Sequence, residues 1–202
     1  MRFSGILIFA AIFAFASPVF ASGNLTIVIT GTTPAYVNTN SSNTLLSLQM
    51  NVTPLFGDST VNITAVNVTI NITFGGSSSD NITGNISAVE IRNSIGASFG
   101  SNSTITSSKV RVALTNSFVV NASNATMSIV VNLSRSATRY SNISVNITAN
   151  NEFTTNSSLN NITILSTYIN STNAQVQDLH ANASVSPQNV DATLAVAKAT
   201  GY

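Results

Sequence analysis

Apolar and polar residues alternate one for one along most of this chain. The pattern is clearest in VNITAVNVTINITF, residues 61–74, where Val66, Val68, Ile70, Ile72 and Phe74 fall on one side and Asn67, Thr69, Asn71 and Thr73 on the other. Successive side chains of a strand point to opposite faces, so the spacing predicts one long strand, Thr60–Phe74, with an apolar face and a polar face. The same reading predicts strands at Asn24–Thr30 (Leu25, Ile27 and Ile29 inward) and Thr44–Thr53 (Leu46, Leu48, Met50 and Val52 inward). Asn81–Arg92 is a strand weakened by Gly84, and Ile105–Val120 turns Val110, Val112 and Leu114 inward with a break at Asn116-Ser117. Met127–Ser134, Tyr140–Thr148 and Asn160–Ile169 follow, the last with Ile162, Ile164 and Tyr168 inward; Ala183–Ser186 and Val190–Ala197 close the series. Gly31–Pro34, Gly57-Asp58 and Gly75–Asp80 are turn signals, Ala35–Asn43 and Asn150–Asn156 read as loops, Gly96–Ser103 as a loop or short bulged strand, and Asn170–Asn182 as a loop or short helix. Roughly ten short strands separated by turns describe an all-β protein, an Ig-like or jelly-roll-type β-sandwich.

The polar faces are written largely in Asn-x-Ser/Thr, the acceptor signal for N-glycosylation. With 27 Asn, 30 Ser and 25 Thr in 202 residues, the rows hold 18 such sites, against about seven expected by chance for so short a motif. They are Asn40, Asn62, Asn67, Asn71, Asn81, Asn85, Asn102, Asn121, Asn124, Asn132, Asn142, Asn146, Asn156, Asn161, Asn170 and Asn182, with Asn24 and Asn51 less favourable. Thr53-Pro54 hinders a transferase at Asn51, and Asn121 and Asn124 stand close enough to compete. On a strand, Asn and the hydroxyl residue two positions on share a face, so the motif turns a glycan outward while x enters the core. Covalent N-glycans are the expected partners of these faces.

Composition explains why such a coat is useful. Charged residues make up 6% of the chain, with net charge +1, a surface poor in the charge that ordinarily keeps proteins dispersed. A fold with few carboxylates has little to lose on acidification, which suits an acidic exterior. The thin, balanced charge forms no basic patch, so nucleic acid is not an expected partner. Met1–Ala21 reads as a secretory signal: Arg2, an apolar run Gly5–Ala16, then Val19-Phe20-Ala21 for cleavage after Ala21. The domains are therefore residues 1–21, a cleaved leader; 22–34, an N-terminal strand and linker; and 35–202, a glycosylated β-sandwich with no membrane span in the mature chain. A retained N-terminal helix, as in a type-IV-like pilin, is the alternative. Cysteine is absent, so no disulfide frame supports this exported chain.

No constellation for chemistry emerges. His180 is the lone histidine, beside Asp178 in a polar stretch without a Gly-x-Ser-x-Gly elbow. Asp58, Asp80, Glu90, Glu152, Asp178 and Asp191 are scattered, and neither zinc nor calcium spacing occurs. The expectation is a non-enzyme with no metal and no cofactor.

The first mature strand carries the sharper signal. Asn24–Thr30 has a clean apolar face and a Gly/Thr/Pro tether. A strand so placed can fill the sheet edge of a neighbouring copy through main-chain hydrogen bonds, with Leu25, Ile27 and Ile29 in its groove. Such a head-to-tail contact does not close and builds a homopolymer. The same strand can equally pair within its own sandwich, and Val190–Ala197 is a rival donor. An export signal, a short strand at the mature start, a cysteine-free β-domain and dense Asn-x-Ser/Thr together resemble the archaeal thread filament subunits of Sulfolobales. The resemblance rests on layout and composition. It implies donor-strand complementation by Asn24–Thr30 and a secreted, heavily glycosylated cell-surface filament, with adhesion or biofilm formation as its use. A surface-layer or adhesin β-module is a further alternative.

Overall fold

The computed structural model describes residues 22–56, 60–78, 82–156, 161–165 and 169–177. The leader, the tail strands Ala183–Ser186 and Val190–Ala197, Asn81, Asn182, His180, Asp58, Asp80, Asp178, Asp191 and Tyr168 lie outside the described residues. The strands are β1 (Ser22–Thr30), β2 (Tyr36–Asn38), β3 (Ser42–Phe56), β4 (Val61–Phe74), β5 (Ser77–Ser78), β6 (Ile86–Asn93), β7 (Ser98–Asn102), β8 (Lys109–Val120), β9 (Ala125–Leu133), β10 (Asn142–Ile147), β11 (Phe153–Thr155), β12 (Asn161–Ile164), β13 (Ile169–Asn170) and β14 (Ala174–Gln177). One helical turn, α1 (Ile82–Asn85), precedes β6, and a 3-10 turn, Asn150–Glu152, precedes β11.

The strands form two facing sheets of an all-β sandwich. One sheet runs β12-β1-β3-β9-β6-β7; the other runs β11-β4-β10-β14-β2, with β8 and β5 also on β4 and β13 on β10. The inward residues of both sheets meet in a single core that includes Leu25, Ile27, Leu48, Met50, Val68, Ile70, Ile129 and Val145. The sheets approach each other closely where β7 meets β8. A Cβ built on Gly100 would lie 2.3 Å from the Ala113 carbonyl oxygen, and the Asn102 amide donates to the Arg111 carbonyl at 2.8 Å.

Strand β4 is the axis of its sheet. It pairs antiparallel with β8 along one edge and with β11 and then β10 along the other. Its apolar pattern changes phase midway: Val61, Ile63 and Ala65 are buried, then Val66, Val68, Ile70 and Ile72. A bulge between Ile63 and Ala65 produces this, since one extra residue in a strand moves every later side chain to the other face. β8 absorbs the opposite half of the irregularity, passing from Ala113 to Phe118 against β4. The break expected at Asn116-Ser117 therefore falls inside this bulge, and Leu114 is only partly buried.

Several expectations need correction. Phe74, placed inward by its phase, is 54% exposed because β4 there turns into Gly75-Gly76 at positive φ. Asn81–Arg92 does not run as one strand: α1 occupies its start, and Ile82 and Ile86 are buried from a helical turn and a strand respectively. The expected loops hold short strands, β2 in Ala35–Asn43 and β11 in Asn150–Asn156, and β14 is a strand where a loop or helix was expected. Asn160–Ile169 is divided into β12 and the start of β13. Tyr140 lies outside β10 with φ 61 and is 68% exposed.

Candidate functional site

β1 occupies a slot inside its own sheet. β1 pairs antiparallel with β3 from Ser22–Phe56 to Thr30–Ser47, and parallel with β12 from Asn24–Asn161 to Ile27–Ile164. The Leu165 amide extends the parallel ladder to the Ile27 carbonyl at 3.1 Å. Leu25 and Ile27 are fully buried, and Ile29 is partly buried against the same core. β1 is thus an interior strand: without it, both β3 and β12 would present open main-chain edges. Its exit is a five-residue segment, Gly31–Ala35, between β1 and β2. Gly31 sits at φ +80, a conformation that glycine adopts without cost. Thr33 fastens the segment, its hydroxyl donating to the Leu45 carbonyl at 3.1 Å and accepting from the Thr172 amide at 3.0 Å.

The asparagines of the Asn-x-Ser/Thr motifs sort by geometry. Asn40, Asn71, Asn121, Asn124, Asn156 and Asn170 are exposed. Asn121 turns its Oδ1 to the Ser123 amide at 2.8 Å, an Asx-type turn. Asn24, Asn51, Asn62, Asn67, Asn102, Asn132, Asn142 and Asn146 are half-buried on outer strand faces. Asn51 and Asn102 use Nδ2, the atom a glycan takes, on the main chain: Asn51 to the Ala122 carbonyl at 2.7 Å and Asn102 to the Arg111 carbonyl. Asn132 and Asn146 hold a buried Oδ1 without a hydrogen-bond partner. On the outer face of the β4 sheet, Thr73 faces Asn142, Asn71 faces Ser144, Thr69 faces Asn146, and Asn146 faces Asn170. Directly opposed residues stand only about 5 Å apart, so sugars on Asn146 and Asn170 would collide at their roots. Asn161 lies on β12, with its side chain outside the described set.

Asn85 stands apart from the other motif asparagines. Its side chain is 2% exposed at the end of α1, and its Oδ1 accepts from the Thr138 amide at 2.5 Å. The helical turn breaks the strand alternation that would have turned it outward.

A polar cluster on the outer face of β4 escaped the sequence reading. Glu152, in the turn before β11, is 5% exposed. Lys109 on β8 reaches it with Nζ 2.6 Å from Oε1, and the Thr148 hydroxyl stands 3.4 Å from the same oxygen. Asn67 comes opposite Glu152, since Val66 pairs with Phe153. The Lys109 bond chiefly holds the carboxyl below its ordinary range, against the opposing effect of burial, and Asn67 and Thr148 add to it. Glu90 on β6 is similarly lowered by its hydrogen bond to Arg92, at 2.6 Å. Residues 43 apart met here through strand pairing, which sequence spacing does not reveal. Among the described residues no group of three or more His, Cys, Asp or Glu could hold a metal ion.

No protein-family model matches the chain, and no curated protein matches it. A solved structure that does match is the sixth cohesin of scaffoldin B from Acetivibrio cellulolyticus, in complex with a mutant Cel5 dockerin. The identity is 17%, over 78% of this chain and 99% of that one, with a TM-score of 0.29. A likeness that slight carries no argument about assembly. The sandwich rests on the strands and their pairing.

Proposed function

We propose that the chain is the structural subunit of a secreted, N-glycosylated filament, polymerised head to tail by exchange of β1 between copies, and that it is not an enzyme. The observation that carries this reading is the position of β1: the first described strand, tethered by Gly31–Ala35, seated between two strands whose edges its removal would leave open. Within one chain the slot is filled from home. A second copy offers the same residues in the same register, so exchange substitutes intermolecular contacts for identical intramolecular ones. Five linker residues span up to roughly 17 Å when extended, enough to carry β1 to an abutting subunit. The sequence resemblance to thread subunits and the density of exposed acceptor asparagines support the same reading.

The burial of Leu25 and Ile27 in their own sheet favours a second reading, a self-contained surface-layer or adhesin module. Val28 and Gln49 face each other across β1 and β3, and opposed residues in an antiparallel pair lie within disulfide reach. The chain has no cysteine to compete. In filaments of the Val28→Cys, Gln49→Cys variant, exchange yields a ladder of covalent multimers on oxidation. Oxidised monomers alone from assembled material would reject exchange in favour of the self-contained module.

A further inference from the structure

The geometry points to an intramolecular isopeptide bond between Lys109 Nζ and Asn67 Cγ, formed with Glu152 as the proton carrier. Three strands set the stage. β8 and β11 flank β4 on opposite edges near Asn67, with Thr69 facing Lys109, Asn67 facing Arg111, and Val66 facing Phe153. Lys109 and Asn67 lie on the same outer face, one strand apart and two residues out of direct register. Glu152 stands on the far side of β4 from Lys109. For Nζ to come within 2.6 Å of the Glu152 carboxylate, the lysine must lean across β4, over the position that Asn67 occupies. Because Phe153 pairs with Val66, Glu152 comes opposite Asn67 across this edge, and Asn67 helps to hold that same carboxyl low. Amine, carboxamide and buried carboxyl are therefore gathered at one point.

The chemistry balances without oxidant or cofactor. The ammonium passes a proton to the carboxylate, and the freed amine attacks Cγ of Asn67. The protonated acid hydrogen-bonds to the amide oxygen, which needs only a half-turn of a carboxamide whose two ends are nearly isosteric. The C–Nδ2 bond breaks as Nδ2 gathers the protons that Nζ has shed. An ammonium ion leaves, the carboxylate is regenerated, and a Lys–Asn amide joins β8 to β4. In a chain without cysteine, this is a covalent brace available to the fold. Asn67-Val-Thr69 is also a glycan acceptor, so the two fates of its Nδ2 exclude each other.

The test is the intact mass of the full chain, produced without glycosylation machinery, folded and then denatured. The expected result is a species lighter by one ammonia, whose digest contains a branched peptide joining the Lys109 and Asn67 segments. Lys109→Arg, which keeps the charge but loses the nucleophile, restores the full mass, and so does Glu152→Gln. The branch point separates this product from a cyclised asparagine, which also sheds ammonia. An unshifted mass with a linear Asn67 peptide, or ammonia loss that persists in Lys109→Arg, overturns the proposal. So does a glycan on Asn67 in protein from the native host. Should Glu152→Gln fail to fold, the Lys109→Arg comparison still decides.

Discussion

Truncating Ile27 to alanine is the most informative single perturbation of β1. The side chain is fully buried between the two sheets and belongs to the common core. Its removal forfeits transfer free energy and leaves a cavity, costing about 2–5 kcal/mol. A domain stable by roughly 5–15 kcal/mol cannot hide such a loss. At a urea slope of about 2 kcal/mol per molar, the unfolding midpoint falls by roughly 1–2.5 M. Equilibrium unfolding of the full chain, followed by far-ultraviolet circular dichroism, measures it. Val28→Thr is the internal comparison: Val28 is the next residue, half-buried on the opposite face, and its substitution costs less than about 1 kcal/mol. Equal effects at Ile27 and Val28, or a loss at Ile27 below about 1 kcal/mol, would refute β1 as an interior strand. Concentration adds a second axis. A strand kept at home gives a midpoint independent of protein concentration, while an exchanged strand gives one that rises with it.

Three further outcomes follow from the same structure. Gly100→Ala forces a Cβ to within 2.3 Å of the Ala113 carbonyl; a main-chain atom cannot step aside cheaply, so the melting temperature drops by the equivalent of about 1–3 kcal/mol. In glycopeptides from the native host, the Asn85 peptide carries no sugar, the Asn71 and Asn156 peptides do, and Asn146 and Asn170 are not both occupied in one molecule. Glu90 has a carboxyl held low by Arg92; its contribution to stability is therefore full above the unfolded carboxyl pKa and is lost as pH falls through the folded value. A pH titration of stability shows that acid-side loss shrinking in Glu90→Gln, while stability between about pH 5 and 8 stays level.

Much of the fold was legible because a two-residue period is hard to mistake over many turns of the pleat. Met127, Ile129, Val131 and Leu133, and Ile143, Val145 and Ile147, are buried as their spacing requires. The failures have physical causes. Strands of two to four residues such as β2, β11 and β14 are too short to display a period, and their partners are distant in sequence. The phase change in β4 depends on a bulge shared with β8, and a bulge is a property of a pair. Asn85 is buried where alternation would have turned it outward, because a four-residue helical turn stands there in place of a strand. The Lys109–Glu152–Asn67 cluster joins two strands and the turn before β11 across one face, and no local motif announces it. The parallel partner of β1 was equally invisible, since β12 lies far along the chain.

The interleaving on β4 has a consequence for how such a chain avoids folding wrongly. Sliding any of these strands by one residue would drive its amides into the oil and its isoleucines into water. A sugar attached to an outward asparagine makes that slip impossible rather than merely unfavourable, because a hydrated saccharide cannot be threaded between sheets. Glycans added ahead of folding would then act as proofreaders of register, one checkpoint for every decorated strand.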